Sequence, residues 1–299
     1  MWFRNLQIFR LADTWQYTSD ELAAAMQKGI FVGCHATDTM ARGWVAPRGN
    51  EQELVFSQQK QQLVALGTEQ KLLPAAVVRQ YAEEKLIDLE AAQGYKPGRK
   101  QVKEVMEQMT LELLPRAFVK RSLTYVWIDP VNRWLVVDAA SSQRADDAIE
   151  QLKLSLGELP LSLLKTQLAP ATAMTQWLAE GTAPSGFSID RDCELRAVAE
   201  ERAAVRYVRH NLDSEDVRNH IVAGKTVTRL SLTWQDRVSF VLTEQMQIKR
   251  VAFLDILKED AERQAENADD LFAANFSLMC GNLAQLLANL IESLGGESE

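Results

Sequence analysis

Two segments of this 299-residue chain concentrate basic side chains, the groups that bind phosphate. From Lys96 to Arg121 there are seven basic residues against three acidic ones, and from Arg202 to Arg229 there are six against three. Clustered Lys and Arg can form a polyanion-binding face whatever the overall charge of the protein. The ordinary alternative is a solvated surface. Charge alone therefore makes the chain a candidate polyanion binder but does not distinguish a binding face from a solvated surface.

The negative charge of the chain is concentrated at its C-terminal end. From Asp255 to Glu299 there are ten acidic residues against Lys258 and Arg263, a net charge of −8, which equals the net charge of the whole chain. Residues 1–254 therefore sum to zero. An acidic overall balance does not argue against a polyanion partner when the positive charge lies in the neutral part of the chain.

Residues that could carry catalysis are few and scattered. The three histidines, His35, His210 and His220, do not form a metal-ligand pattern with the cysteines. Cys34 and His35 are adjacent, but no feature of the sequence identifies a group that would orient them as a nucleophile and base. Asp129 and Asp138 lie around a predicted β-hairpin, where roles in turns explain them. We therefore predict no catalytic residues, no metal and no cofactor, and expect that the protein is not an enzyme.

One short motif resembles a nucleotide-binding loop. Ala223-Gly224-Lys225-Thr226 matches the end of a phosphate-binding loop, but position 219, where the earlier glycine belongs, is Asn219. A predicted helix precedes the motif and a strand follows it, the reverse of the order in such loops. The motif is interpreted as a turn.

Composition places the chain among ordinary globular proteins. Apolar residues make up 46% and charged residues 25% of the sequence. We expect no membrane span, because the most apolar stretches, such as 159–164, are far shorter than about 18 residues. Three distant cysteines are typical of reduced thiols in the cytoplasm.

The order of predicted elements favours an α+β fold with mixed antiparallel sheets. Strands and helices alternate without regular βαβ units, and residues 33–50 are predicted to be mostly loop because they contain three glycines and a proline. Two helices around a Gly/Pro turn, within residues 74–115, predict a projecting helical hairpin. A long apolar helix over 269–294 is expected to be buried in a core or between subunits.

Several stretches, taken together and in order, resemble the RdgC family of recombination-associated proteins over nearly the full length. No single stretch is diagnostic, and the combination is specific. The stretches that carry the resemblance are Met40-Ala41-Arg42-Gly43-Trp44-Val45-Ala46-Pro47, Leu113-Leu114-Pro115-Arg116-Ala117-Phe118, Trp127-Ile128-Asp129, Asn219-His220-Ile221, Ala223-Gly224-Lys225 leading to Thr228 and Trp234, Asn289-Leu290-Ile291-Glu292 and Leu294-Gly295-Gly296-Glu297.

This resemblance implies a DNA-binding protein of the cytoplasm or nucleoid that restrains the RecA recombinase. It also implies a homodimer closed into a ring by two separate contacts, with a positively lined hole able to hold duplex DNA. Double-stranded DNA bound without sequence preference is the expected partner, with single-stranded DNA as a further candidate and no membrane. The acidic C-terminal region is expected on the outside of such a ring, since it repels phosphate.

On this basis the basic residues become candidate DNA contacts, and one aromatic residue becomes a candidate dimer contact. Phe118, between Arg116 and Lys120, is either a core residue of the following strand or a plug that inserts into the helical hairpin of the partner subunit. The second dimer contact could use a sheet edge or the long C-terminal helix. The candidate DNA-binding residues are Arg116, Lys120, Arg121, Arg206, Arg209, His210, Lys225 and Arg229.

We predict three units: residues 1–73 with 116–158 as an N-terminal and central α+β domain, residues 74–115 as the helical-hairpin subdomain, and residues 159–299 as a C-terminal α+β domain ending in a long helix.

Two other functions stay open. Scattered carboxylates would suit a nuclease or another DNA-processing enzyme. An acidic protein-interaction module would bind the recombinase directly and have no affinity for DNA.

Overall fold

A computed structural model describes residues 1–49, 53–197, 203–255, 257, 259 and 265–298. Within them the chain forms one sheet of twelve strands, all paired antiparallel. The strands are β1 (Leu6–Leu11), β2 (Met40–Val45), β3 (Val55–Gln58), β4 (Gln61–Leu72), β5 (Phe118–Asp129), β6 (Trp134–Asp138), β7 (Leu161–Leu163), β8 (Phe187–Ala197), β9 (Ala204–Tyr207), β10 (Lys225–Trp234), β11 (Val238–Thr243) and β12 (Ile248–Phe253).

The order of strands across the sheet is β2-β4-β5-β6-β1-β12-β11-β10-β8-β9, with β3 beside β4 and β7 beside β1. The α+β class is confirmed, but the plural "mixed antiparallel sheets" is wrong, because β1 pairs with β6 and also with β12 and thereby joins two half-sheets. The N-terminal half-sheet is β2–β6 with β1, and the C-terminal half-sheet is β8–β12. The division into three domains stays a prediction.

Seven α-helices lie in the described residues. Thr18 begins the first with a capping box, in which its side chain accepts from the Glu21 amide and the Glu21 side chain accepts from the Thr18 amide. Ser214 precedes the sixth, and its hydroxyl makes no capping hydrogen bond. The helices are α1 (Ser19–Met26), α2 (Ala75–Gln93), α3 (Arg99–Leu113), α4 (Ser142–Leu156), α5 (Pro170–Glu180), α6 (Glu215–Val222) and α7 (Ala268–Ser293).

Side chains alternate between two faces of the sheet, and each face has its own core. In β6, Trp134 and Val136 pack into the core that contains α5 and α7, whereas Leu135 and Val137 pack into the core that contains α1 and α4. We call these the first face and the second face of the sheet. All four side chains are at most 2% exposed, so the centre of the sheet is covered on both sides.

Helix α7 is the main support of the first face. Phe276, Met279 and Leu283 are fully buried there, and Asn289 accepts a 3.0 Å hydrogen bond from the indole of the fully buried Trp234. By length and composition α7 could also cross a membrane, contrary to the expectation from sequence. Its apolar side chains instead pack against the sheet, as in the core helix of a globular domain.

The predicted helical hairpin is present, formed by α2 and α3. Gly94 ends α2 in the left-handed conformation, with φ of +79°, which glycine adopts without strain. Val78, Ala82 and Met109 form a small core between the two helices, separate from both cores of the sheet. The hairpin is inserted between β4 and β5, so it extends from one end of the two longest strands.

Residues 33–49 are mostly loop as expected, but they also contain a strand that was not predicted, β2 at Met40–Val45. Gly43 lies opposite Gly67 of β4 in register, and Phe31 packs across the pair. A methyl group on Gly43 would lie 2.5 Å from the Phe31 Cα and 2.6 Å from its backbone nitrogen. The glycine is thus required by close approach of the backbone and does not mark a loop.

Replacement of Gly43 by alanine should therefore destabilise the protein. We expect Gly43→Ala to lower the free energy of unfolding by about 1–3 kcal/mol, since the backbone of Phe31 must move. Urea unfolding followed by circular dichroism measures this. Gly281→Ala, in open space on α7, is the control and should be neutral or stabilising by up to about 1 kcal/mol. Equal effects of the two changes would refute the close-packing argument.

The three cysteines are free thiols, and two of them are buried. Burial raises the pKa of the Cys193 thiol to about 12, and it raises the pKa of the Cys280 thiol further. In the native protein at pH 8, an aromatic disulfide reagent should therefore modify only Cys34, with the other two reacting after unfolding. Rapid modification of all three thiols would contradict this packing.

Candidate nucleic-acid interface

The first group of candidate residues lies where the helical hairpin returns to the sheet. Arg116 ends a 3₁₀ turn after α3, and Lys120 and Arg121 follow on β5. All three are exposed. Strand alternation places Lys120 on the second face, with Val126, and Arg121 on the first face, with Trp127.

Arg121 is already paired with a carboxylate. Its Nε donates to Oε2 of Glu69, its partner in register on β4, at 2.8 Å. The backbone amide of Cys34 donates to the other carboxylate oxygen at 3.0 Å. These two interactions, the Cys34 hydrogen bond first, hold the pKa of Glu69 below its ordinary value. The Arg121 side chain is nevertheless 79% exposed, so its remaining donors face solvent.

The second group is a row of charged side chains across three neighbouring strands. In register, Arg206 of β9 lies opposite Glu194 of β8, which lies opposite Arg229 of β10. The row belongs to the second face, because the neighbouring residues Leu195 and Leu230 point into the core of the first face. Arg206 and Arg229 are exposed, whereas Glu194 is buried. One carboxylate therefore lies beneath two exposed guanidinium groups.

Further basic side chains surround this row. Arg196 binds Glu194 through Nε at 2.9 Å and Nη2 at 2.7 Å, and Arg229 Nη1 lies 3.8 Å from the other oxygen of the same carboxylate. Lys249 and Arg250 of β12 line the same shallow depression. Arg196, Lys249 and Arg250 are not among the candidates predicted from the sequence. Arg250 and Lys249 lie outside both basic segments, and only the pairing of β11 with β12 brings them here.

A loop after β9 carries Arg209 and His210. The backbone amide of Arg209 donates to Oδ1 of Asp192 at 2.8 Å, and that of His210 donates to the carbonyl of Arg191 at 3.0 Å. Arg209 has a φ of +53°, in the left-handed region that favours glycine or asparagine. Both side chains are exposed. The loop is thus fixed to β8 by its backbone, which leaves the Arg209 side chain exposed for a ligand, whereas Nδ1 of His210 lies 2.8 Å from the carbonyl oxygen of Asn211.

Lys225 does not lie on the same face as Arg206 and Arg229, the candidate DNA contacts with which it was grouped in the sequence. A β-bulge between Val227 and Arg229 reverses the alternation, so Lys225 shares the first face with Val227 while Arg229 lies on the second. The Lys225 ammonium donates to Nδ1 of His220 on α6 at 3.2 Å. Gly224, with φ of +85°, forms the turn between α6 and β10, so the predicted turn is confirmed at residues 223–224, while Lys225 and Thr226 already belong to β10.

The two groups lie toward opposite ends of the sheet. Between β5 and the strands β10 and β9 there are five to seven strand spacings, on the order of 25–35 Å at about 4.8 Å each. One turn of duplex DNA is about 34 Å long. Lys120, Arg206 and Arg229 share the second face, so this face alone offers cations at both ends of a span close to one turn.

Phe118, the candidate dimer contact, is exposed rather than buried. It begins β5 beside Leu72 of β4, and its side chain is 85% exposed. The alternative of a core residue is therefore wrong for the single chain. Leu72, its partner in register, is also about half exposed and lies on the same face, so the two form a small apolar patch near the base of the hairpin.

An apolar groove lies at the base of the same hairpin. Met40, Leu73, Val78, Met106 and Leu114 line it, with Thr110 and Lys71 at its polar borders. Val78 and Leu114 are buried. The groove thus brings together β2, the end of β4 and both helices of the hairpin.

The described residues contain no group of three or more His, Cys, Asp or Glu that could hold a metal ion. The carboxylates singled out from sequence have structural partners. Asp129 accepts from the amides of Val131 and Asn132, both at 3.0 Å, and Asp138 accepts from the amides of Arg4 and Asn5. Burial raises the pKa of Asp138 above its ordinary value. The absence of an enzymatic function stays a prediction.

Comparisons with known proteins test the resemblance. A family model described as "Putative exonuclease, RdgC" matches residues 1–297. The Recombination-associated protein RdgC of Dechloromonas aromatica (strain RCB) is 51% identical over 300 residues, which cover 99% of this chain and 98% of that protein. The protein of the same name from Janthinobacterium sp. (strain Marseille) is 50% identical over 299 residues, covering 100% and 99% of the two chains. The resemblance noted in the sequence is confirmed: the chain belongs to the RdgC family.

Proposed function

We propose that this protein binds duplex DNA through phosphate contacts, without sequence preference, and thereby restrains RecA-dependent recombination. The observation that carries the proposal is the row formed by Arg206 and Arg229 beside the Arg209 loop, on a sheet face exposed to solvent. Membership in a family named for its association with recombination supports a role at DNA.

The chemistry of the two groups suits contacts with the backbone of DNA. Their donors are Arg, Lys and His side chains on strands and a short loop, not a helix or β-ribbon shaped to enter the major groove. Phosphate contacts position a protein on DNA and carry no sequence information. A protein bound in this way restrains the recombinase by occupancy, because it denies the filament access to the duplex.

The proposal includes a ring-shaped homodimer, since a single sheet faces a duplex from one side only. Phe118 supports one contact: an aromatic side chain that is 85% exposed has apolar area to bury, and a large exposed apolar side chain next to basic residues is typical of an interface. The groove at the base of the hairpin is apolar and is the proposed receptor for the partner's phenyl ring.

The second contact of the ring is proposed at the edge of the sheet and not at the C-terminal helix. Leu283, Leu286, Leu287 and Leu290 of α7 are already buried within one chain. In the described part of the chain, β9 pairs on one side only, with β8. An open edge strand is a ready template for pairing with a second copy.

Removal of cationic side chains from the second face tests the DNA-binding proposal. In the double variant Arg206→Gln, Arg209→Asn we expect duplex affinity to fall about 10- to 100-fold at 100 mM salt. The slope of log K against log salt should also lose about one unit per phosphate contact removed. Asparagine is chosen at 209 because it tolerates the left-handed backbone there. Fluorescence anisotropy on a random-sequence duplex measures both quantities.

The matched control is Arg218→Gln, which removes a cation from the same basic segment. Arg218 lies on α6 and pairs with Asp213, away from the row on the second face. Unchanged affinity in the double variant, or an equal loss in the control, would overturn the assignment. The same assay with magnesium tests the nuclease alternative, since the duplex should remain intact. Progressive degradation by wild type would support the exonuclease description instead.

Replacement of Phe118 by alanine tests ring closure. We expect Phe118→Ala to weaken the dimer in sedimentation equilibrium at micromolar concentrations and to lose retention on closed circular DNA after a salt challenge. Both losses follow from the missing phenyl ring at one of two contacts. Binding to short linear duplexes should decrease less, since the cationic side chains are unchanged.

Leu154→Ala is the control, because Leu154 on α4 is also exposed, at 70%, but lies far from the patch in the sequence and on another element. It should leave both the dimer and retention on circles unchanged. If Phe118→Ala behaves like this control, the proposed interface is wrong.

A further inference from the structure

Glu194 holds an unusual position for an acidic residue within the proposed DNA surface. Its side chain is 11% exposed, and it lies in register between Arg206 and Arg229, beneath guanidinium groups whose side chains are exposed. Thr228 donates to its carboxylate at 3.4 Å, and Arg196 binds the same oxygen through two nitrogens. Its charge is therefore held in place at the centre of a cationic surface.

A phosphate that approaches this face must compete with the Glu194 carboxylate. Arg196 and Arg229 present their outer nitrogens to solvent while they bind Glu194 from above, since their side chains are 43% and 46% exposed. Each guanidinium has five N–H donors, so it can bind the Glu194 carboxylate and a DNA phosphate at the same time. The negative charge of the carboxylate nevertheless weakens the attraction of the two arginines for the phosphate. It also offsets part of the positive charge that neutralises phosphates, and so reduces the number of counterions that the DNA releases on binding.

Asp192 has a different role from Glu194. Oδ1 of Asp192 accepts a hydrogen bond from the backbone amide of Arg209, and Oδ2 lies 3.9 Å from Nη1 of Arg250. Asp192 therefore fixes the conformation of the loop that carries Arg209. A substitution of Asp192 would change the position of this loop as well as the charge of the surface, so the two effects on DNA binding could not be separated. No loop depends on Glu194 in this way: the hydrogen bonds and ion pairs of its carboxylate in the described structure are with Arg196, Thr228 and Arg229.

We propose that Glu194 is an internal competitor for DNA phosphate, a positioning residue that keeps the Arg196–Arg206–Arg229 surface at moderate affinity. This inference rests on the proposed function and extends it to the regulation of the same surface. Moderate affinity allows a non-specific binder to move along DNA and to be displaced from it, whereas a fully uncompensated surface holds DNA more tightly.

The variant Glu194→Gln tests the inference, because it keeps the shape of the side chain and one acceptor oxygen for Arg196 and Thr228 while it removes the charge. We expect duplex affinity at 150 mM salt to rise about three- to tenfold, and the salt slope to steepen by about 0.9 per chain bound. Thermal unfolding checks that the fold is retained. Glu180→Gln on α5, whose side chain is bonded to Gln176, is the control and should leave both values unchanged.

A double variant separates charge compensation from a change in structure. Glu194→Gln combined with Arg229→Gln restores the original net charge of the surface, so affinity and salt slope should return to near the wild-type values. Affinity of Glu194→Gln equal to or below wild type would overturn the inference while wild-type binding upholds the proposed function. A wild type that does not bind the duplex at low salt would overturn both.

Discussion

The arrangement of the whole molecule depends on the junction between β1 and β12. Leu6 and Ile248 lie opposite each other there, and the amide of Val251 donates to the carbonyl of Arg4 at 2.8 Å. Trp2 packs on Phe253 with ring centroids 4.5 Å apart, and the amide of Phe3 donates to the sulfur of Met279 on α7. Through this junction the first residues of the chain connect the two half-sheets into one sheet. Together with the core of the first face, in which α7 packs against both half-sheets, it fixes the separation of the two basic groups.

A continuous sheet has a direct consequence for binding a stiff polyanion. Cations on a rigid surface can be spaced to match phosphates along a duplex, and no conformational entropy is then lost in ordering two independent domains. Lys120 at one end and the Arg206–Arg229 row at the other share the second face. Glu194 lies beside Arg229, so the basic surface is compensated from within at the end formed by the row, whereas Glu69 pairs with Arg121 on the first face.

Local pattern was enough to predict most of the elements and the α+β class. The two hairpin helices and the long C-terminal helix follow from apolar spacing and, in the hairpin, from the Gly/Pro turn between the helices. The single sheet could not be predicted, because the pairing of β1 with β12 joins residues about 240 positions apart and leaves no local trace. Strand β2 was missed for a related reason: Gly43 serves close packing against Phe31, and only the three-dimensional structure shows that neighbour.

The candidate site, like the fold, was predicted from the sequence only in part. Charge clustering identified Arg206, Arg209 and Arg229, which the structure brings to one end of the sheet. Simple alternation would also place Lys225 beside Arg229, and the β-bulge at Thr228 overturns that. Glu194 was not singled out because an isolated acidic residue carries no pattern of its own. Its importance arises from register, which depends on the pairing of β8 with two other strands.

The central claim, that this surface reads phosphates and not bases, is tested most directly with the wild-type protein. Anisotropy titrations on two duplexes of equal length and unrelated sequence, each across a salt series, give two affinities and two salt slopes. We expect affinities within about twofold of each other and steep, equal slopes of several units, because the protein makes multiple phosphate contacts. A strong preference for one sequence, or affinity that hardly changes with salt, would contradict the central claim.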